Sequence, residues 1–261
     1  MRKVLFLGDV VGRPGRRILK EKLGSLRQRL GCDLALANGE NAAGGAGLTG
    51  KIALELHRAG LDALTLGDHV WDQRNFDAEI DGLTFVCRPA NLPPSNPGRK
   101  RLLLTKDGFR LAVFTVLGRS FMNPKVDCPF ASADRLVEEF REKADAVIVE
   151  IHAETTAEKV ALGWHMDGKV AAVLGTHTHV PTADGRLLPA GTAYLTDLGM
   201  TGPRHSVIGR QIEACVGRFR DGMPRRCPVA EEDVRMQGVL LEIDPVSGLS
   251  RSITSVDEGE D

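Results

Sequence analysis

Short apolar runs alternate with amphipathic segments along the whole chain. The runs are rich in Val, Ile and Leu, are about 4–8 residues long and are bounded by Gly, Asp or Asn, which is typical of buried strands. We predict strands at Lys3–Leu7, Asp33–Ala37, Ala63–Leu66, Leu83–Cys87, Leu102–Thr105, Arg110–Leu117, Ala146–Ile151, Ala171–Leu174, Thr192–Leu195 and Val239–Ile243. Such an alternation favours an α/β fold, in which helices cover a parallel or mixed sheet.

Four segments between these runs carry apolar residues at helical spacing. They are Gly15–Leu30, Lys51–Ala59, Ser132–Lys143 and Ile208–Phe219. Ser132 precedes an acidic turn and is predicted to cap the third helix.

Two further segments, Ala90–Lys100 and Gly199–Ser206, are predicted to be loops. Neither is long or biased enough for a domain linker, and the sequence has no internal repeats. We therefore predict a single domain over residues 1–261, with an acidic, frayed tail at 255–261.

Charge and composition narrow the class of partner. Lys and Arg total 34 and Asp and Glu total 35, so the net charge is −1. This balance argues against a protein that coats duplex DNA or a membrane surface. A small nucleotide or an RNA end remains compatible, because bound cations can supply positive charge locally. Five cysteines without a CxxC pair indicate reduced thiols, and the absence of a signal peptide or long apolar stretch predicts a cytoplasmic protein.

Polar residues follow the carboxyl ends of five predicted strands. They are Asp9, Glu40 with Asn41, Asp68 with His69, His152, and His177 with His179. In an open α/β sheet this edge is where ligands bind. A single Asp or Asn there is usually a turn former or a helix cap, and a single His is more often structural, but the joint pattern favours one site.

The residue types indicate a metal centre. Carboxylate and amide oxygens together with imidazole nitrogens suit Mn, Fe or Zn, and the number of groups exceeds the four ligands of a tetrahedral zinc. Two ions that share a bridging ligand would account for the excess. Gly8, Gly39, Gly67 and Gly175 precede these groups and permit tight turns or close approach. We expect the other histidines, His57, His165 and His205, to be surface or structural residues.

Two glycine-rich segments admit other interpretations. The segment Gly8–Gly15 resembles a phosphate-binding turn before a helix, but it has neither the P-loop nor the dinucleotide-binding spacing. The segment Asn41–Gly47 is either a tight turn that clears the site, which we favour, or a phosphate cradle. Ser120 and Cys87 lack the neighbours of a covalent nucleophile.

Seven motifs resemble the calcineurin-like metallophosphoesterases and, more closely, the YmdB-like family of bacterial phosphodiesterases. They are LFLGDVVGRPGRR, ANGENAAGG, LTLGDHVWD, RPANLPP, IHAETTAEKVALGW, GTHTHVPTAD and GTAYLTDLGMTGP. The resemblance implies a four-layer α/β/β/α sandwich, a dinuclear metal site and hydrolysis of phosphodiesters, including 2′,3′-cyclic nucleotides.

The resemblance also implies a role for each site residue. Asp9, Glu40, Asn41 and His179 would hold one metal, Glu40, Asp68, His152 and His177 would hold the second, and His69 would protonate the leaving oxygen. Two positions depart from wider patterns. Val11 stands where the wider superfamily has the His of an Asp-x-His motif. The YmdB-like family also lacks this His. Asp68 stands where that family usually has Asn, and it adds a negative charge.

The expected cofactors are two divalent or trivalent ions, Fe or Mn, with Zn or Mg as alternatives. Two cations about 3.5–4 Å apart acidify a water and stabilise phosphoryl charge, so that hydroxide attacks phosphorus in line. We expect a homo-oligomer that acts on a small phosphodiester, a cyclic nucleotide or RNA ends. The alternatives are a nucleotide-sensing regulatory protein with little or no catalysis and a phosphomonoesterase or nucleotidase.

Overall fold

The strands form two facing sheets, and helices cover the outer face of each. A computed structural model describes residues 1–260 of the chain. Its strands are β1 (Arg2–Leu7), β2 (Asp9–Val10), β3 (Leu34–Asn38), β4 (Ala63–Thr65), β5 (Val86–Cys87), β6 (Leu102–Lys106), β7 (Phe109–Leu117), β8 (Ala146–His152), β9 (Ala172–Thr176), β10 (Arg186–Leu187), β11 (Ala193–Leu195), β12 (Met200–Pro203), β13 (Val234–Ile243) and β14 (Ser250–Gly259). Its helices are α1 (Gly12–Leu30), α2 (Gly50–Arg58), α3 (Phe76–Glu79), α4 (Pro129–Phe140), α5 (Thr156–Met166) and α6 (Ile212–Asp221), with a 3₁₀ turn at Ile80–Gly82.

The strand order brings parallel strands to the centre of each sheet. The first sheet runs β2-β12-β13-β1-β3-β4-β5, and β14 pairs with β13; the second runs β10-β11-β9-β8-β7-β6. Strands β1, β3, β4 and β5 are mutually parallel, as are β7, β8, β9 and β11. The remaining ladders are antiparallel, apart from the short β2–β12 pair, so both sheets are mixed, as predicted.

Three layers of buried side chains hold the sheets and helices together. Val4 and Phe6 of β1 point between the sheets and pack in one layer with residues of β7 and β8, such as Val113 and Ile148. Their neighbours along β1, including Leu5, point the other way, towards α1 and α2. A third layer lies between the second sheet, α4 and α5. The predicted four-layer α/β/β/α sandwich is therefore confirmed.

Every predicted strand overlaps an observed one, but three helix starts are wrong. Helix α1 begins at Gly12, three residues before the predicted Gly15. Helix α4 begins at Pro129, because proline fits the first helical position; Ser132 lies inside the helix, where its hydroxyl accepts a hydrogen bond from Arg135. Helix α6 begins at Ile212, because Ile208 and Gly209 have left-handed backbones (φ 46° and 93°).

Three further outcomes concern helix α5 and the two predicted loops, of which only Ala90–Lys100 is as predicted. Helix α5 was not predicted. The predicted loop Gly199–Ser206 contains strand β12, which joins β2 and β13. The predicted loop Ala90–Lys100 has no helix or strand. Within residues 1–260, no helix is long and apolar enough to cross a lipid bilayer.

The prediction of a frayed tail at 255–261 is wrong for residues 255–259. These residues belong to β14, which pairs with β13 as far as Gly259; Asp261 lies outside the described residues. The acidic side chains of this segment suggested a solvated tail. Two of them instead pair with arginines of α1. Glu258 contacts Arg29, and Glu260 contacts Arg17 at 2.5 Å.

We expect deletion of residues 255–261 to destabilise the protein. It removes the second half of the β13–β14 ladder, whose hydrogen bonds contribute about 0.5–1.5 kcal/mol each. The free energy of unfolding should fall by about 2–4 kcal/mol in urea denaturation. The control deletes residues 260 and 261 only and keeps every paired residue of β14. Equal stability of the two truncated proteins would show that this half of β14 contributes nothing.

Candidate metal centre

The carboxyl ends of β1, β3, β4, β8 and β9 converge at one end of the sandwich. Short turns after these strands bring the eight predicted site residues together: Asp9, Glu40, Asn41, Asp68, His69, His152, His177 and His179. The first five come from the first sheet and the last three from the second. The site therefore lies between the two sheets.

Four of these residues form one compact set of donors. Ligand atoms of Glu40, Asp68, His152 and His177 all lie within 4.8 Å of one another. The Nε2 atom of His152 is 3.0 Å from Glu40 and 2.9 Å from Asp68, and Nδ1 of His177 is 3.2 Å from the same Asp68 oxygen.

The other predicted ligands form a second set beside it. The side-chain amide of Asn41 lies 3.4 Å from Asp9 Oδ1 and 3.2 Å from His179 Nε2. It also lies 3.2 Å from Glu40 Oε1, the oxygen that contacts His152. Glu40 therefore touches both sets. The Asn41 nitrogen faces this cluster, and a half-turn of the amide would present its oxygen to the same place.

Gly67 allows the strands to approach this closely. A Cβ atom at this position would overlap Oε2 of Glu40 and the imidazole of His152, nearer than real Cβ contacts occur. The site thus requires a residue without a side chain between the two sheets.

Hydrogen bonds fix the orientation of each imidazole. Nδ1 of His179 lies 3.0 Å from the carbonyl of Ile208, and Nε2 of His177 lies 3.0 Å from Glu154. Since these partners are acceptors, the facing nitrogens carry the protons, and the opposite nitrogens turn lone pairs towards the site.

His152 is oriented by a buried network beneath it. Glu150 accepts hydrogen bonds from the hydroxyl of Thr176 at 2.6 Å and from Asn38 at 2.8 Å. Because the Thr176 hydroxyl gives its proton to Glu150, it accepts the Nδ1 proton of His152 at 2.9 Å. Nε2 of His152 is thus directed at Glu40 and Asp68.

The loop that carries His177 and His179 has a strained backbone. Both residues have left-handed φ angles (96° and 61°), which cost a non-glycine residue about 1–3 kcal/mol each. The buried carboxylate of Asp197 holds the intervening Thr178, accepting hydrogen bonds from its backbone N–H at 3.2 Å and its hydroxyl at 2.6 Å. The buried Lys159 pairs with Asp197 at 2.8 Å.

Crowded carboxylates shift the pKa values at the site. Burial, with repulsion from Glu40 and other acids, raises the pKa of Asp9 to about 8. Burial also acts to raise the pKa of Glu40 and to lower that of His152, but their mutual attraction outweighs it, so the pKa of Glu40 is lowered and that of His152 is raised. Burial lowers the pKa of His179 and favours its neutral, ligating form.

The donor set fits divalent cations of the first transition series. It offers carboxylate oxygens and oriented imidazole nitrogens and contains no thiolate. The ion pairs of Asp9, Glu40 and Asp68 within the site are all with imidazoles, which must lose their extra protons to bind a metal. A cation and the proton of His152 therefore compete for the same place.

His69 differs from the other site histidines in its position. Its backbone N–H donates to Glu40 at 3.0 Å, while its half-buried ring lies at the mouth of the site, with Nδ1 2.7 Å from Asp72. Burial acts to lower its pKa, but Glu40, Asp68 and Asp72 outweigh it, so the pKa of His69 is raised. These carboxylates favour the protonated, proton-donating form of the ring.

Apart from Asp9 and Asn41, the two glycine-rich segments and the other three histidines make contacts outside the two donor sets. Within the segment Gly8–Gly15, the amide of Gly12, the first residue of α1, donates to the Asn41 carbonyl at 2.9 Å, and that of Gly8 donates to the Gln237 carbonyl at 2.8 Å, so both serve packing. The segment Asn41–Gly47 is a series of turns docked on Arg210, which donates to the Gly44 and Gly45 carbonyls. The three other histidines make local hydrogen bonds: His57 to Leu61, His165 to Asp134 and His205 to Glu232.

The sequence analysis missed the supporting residues of the site. Signals for some of them were present. Glu150 is a charge within an apolar strand, two residues before His152 and on the same face, and Asp197 follows the strand Thr192–Leu195, as the ligands follow theirs. Nothing in the sequence connects Lys159 with Asp197, because that pair forms only when α5 packs beside β9 and β11.

Comparison with known proteins relates this chain to one family over nearly its whole length. A sequence model of the YmdB-like protein family matches residues 5–256. A 2′,3′-cyclic-nucleotide 2′-phosphodiesterase of Bacillus subtilis is 45% identical over 242 residues, which cover 93% of this chain and 91% of that protein.

Two solved structures share the fold over nearly their whole length. A hypothetical protein from Thermus thermophilus has a TM-score of 0.92 at 44% identity and covers 99% of this chain and 100% of its own. A phosphatase from Mycoplasma pneumoniae has a TM-score of 0.93 at 35% identity and covers 100% of this chain and 94% of its own. Family match, identity and shared fold extend over the same residues, and the chain belongs to the YmdB-like family.

Proposed function

We propose that this chain is a metal-dependent phosphodiesterase that hydrolyses 2′,3′-cyclic nucleotides. The observation that carries the proposal is the meeting of two oxygen- and nitrogen-rich ligand sets at the buried carboxylate of Glu40. The Bacillus subtilis relative, named for this activity, supports the choice of substrate.

The metal ligands are divided between the two sets. Asp9, Asn41 and His179 would hold one cation, Asp68, His152 and His177 would hold the other, and Glu40 would serve both. When bound, two such cations would attract the phosphoryl oxygens of a substrate and lower the pKa of a bound water. Fe or Mn suits the mixture of carboxylates and imidazoles best, with Zn or Mg as the alternatives.

His69 gives a proton to the oxygen that leaves phosphorus. Asp72 holds Nδ1, which leaves Nε2 as the atom that faces a substrate at the mouth of the site. Glu40, Asp68 and Asp72 raise the pKa of His69, against the effect of burial, and so favour the protonated ring. A ribose oxygen is a poor leaving group, so proton donation of this kind contributes about 10²–10⁴ in rate.

Replacement of the bridging carboxylate tests the proposal. With Mn²⁺ present, we expect the wild-type protein to hydrolyse 2′,3′-cyclic AMP and a chelator to stop it. Glu40→Gln should lose both activity and metal content, because one charge shared by two cations is removed, whereas Asp134→Asn, a surface acid paired with Lys169, should change neither. Elemental analysis and product chromatography measure the two quantities.

Two results in this assay would contradict the proposal. Tight nucleotide binding without turnover by the metal-loaded protein would indicate a sensor. Faster release of phosphate from a nucleoside monophosphate than hydrolysis of the cyclic diester, by the same preparation, would indicate a phosphomonoesterase.

A comparison of leaving groups tests the role of His69. We expect His69→Gln to keep its metals but to lose about 10²–10⁴ in kcat on 2′,3′-cyclic AMP, whose leaving ribose oxygen needs a proton. On bis-p-nitrophenyl phosphate the loss should be far smaller, because p-nitrophenolate leaves without one. Asp72→Asn should show the same pattern more weakly. Equal losses on both substrates would rule out proton donation by His69.

A further inference from the structure

We infer that Asp197, paired with Lys159, is a positioning residue that sets the metal ligands Asp9 and His179; this inference rests on the proposed metal site. Neither residue belongs to the ligand sets. Both are fully buried, and together they lie directly behind the loop that carries His177 and His179.

The carboxylate of Asp197 is hydrogen-bonded to the segments that carry His179 and, through Gly199, Asp9. One oxygen accepts hydrogen bonds from Thr178, as described above, and thereby fixes the residue between two left-handed histidines. The other oxygen accepts the N–H of Gly199 at 2.8 Å, and the carbonyl of Gly199 accepts the N–H of Asp9 at 3.3 Å. A single carboxylate thus links the loop after β9 to the turn after β1.

Lys159 holds the carboxylate in this place. Its ammonium donates to Asp197 at 2.8 Å and lies 3.4 Å from the Thr178 hydroxyl. A buried ion pair often contributes little to net stability, because desolvation opposes the attraction. Its effect here is geometric: the aliphatic stem comes from α5, so the helix anchors the ligand loop.

The second half of the site has a separate support. His152 is oriented by Glu150, through Thr176, and Glu150 also accepts from Thr115 at 2.6 Å. Two ligands of the first ion, Asp9 and His179, depend on Asp197, whereas only His177 among the ligands of the second ion lies beside Thr178. Loss of the Asp197–Lys159 pair should therefore weaken the ion at Asp9, Asn41 and His179 more than the ion held by His152.

The test is the double variant Lys159→Met/Asp197→Asn. It removes one charge of each sign, so a change in metal affinity cannot be attributed to net charge. The matched control, Lys169→Met/Asp134→Asn, removes an exposed ion pair elsewhere on the surface. Each metal-free protein is titrated with MnCl₂ in a calorimeter, and its melting temperature is recorded without metal.

We expect wild type and control to bind two Mn²⁺ ions. In the double variant one ion should bind about 10–100-fold more weakly, the usual cost of losing an outer partner of a ligand, while the other should be weakened much less. Thr178→Val, which removes only the hydroxyl, should show the same selective loss to a smaller extent, and it carries the test if the double variant does not fold.

Unchanged affinities at both sites, with or without a lower melting temperature, would overturn the inference, and so would equal weakening of both ions. A wild-type protein that binds two Mn²⁺ ions but hydrolyses no diester would overturn the proposed function instead and leave this inference standing.

Discussion

Three carboxylates share one buried pocket, and the surrounding structure is arranged to tolerate them. Asp9 and Glu40 are fully buried, and the side chain of Asp68 is 14% exposed. Burial and mutual repulsion work against all three charges, as the raised pKa of Asp9 demonstrates. Within the protein, the compensating positive charge comes from histidines, His152 above all. A pocket of this kind selects cations, which replace protons on the same groups.

The four-layer fold explains how one site can be assembled from distant parts of the chain. Parallel strands of both sheets end at the same edge, so each needs only a short turn to deliver a ligand. The first sheet supplies the carboxylates and the amide, and the second supplies three imidazoles. Each imidazole has its outward nitrogen bound to an acceptor, which places every lone pair before a metal arrives.

Much of the fold and of the candidate site was predictable from local sequence pattern, because buried strands and the polar residues that follow them are adjacent in sequence. All ten predicted strands overlap observed ones, and the eight predicted site residues lie together at one end of the sandwich. Features set by distant contacts were not: β14 looks like a solvated acidic tail until Glu258 meets Arg29, and Asp197 looks like an ordinary strand end until Lys159 reaches it. The segment Gly8–Gly15 suggested phosphate binding, yet the amide of Gly12 donates to the backbone carbonyl of Asn41.

The central claim is that Glu40 joins two cations, and anomalous diffraction from crystals of the Mn²⁺-loaded protein tests it most directly. We predict two manganese peaks about 3.5–4 Å apart, with an oxygen of Glu40 bound to each. One peak should have Asp9 and His179 beside it, and the other His152 and His177. A single peak, or two peaks of which only one contacts Glu40, would contradict the account.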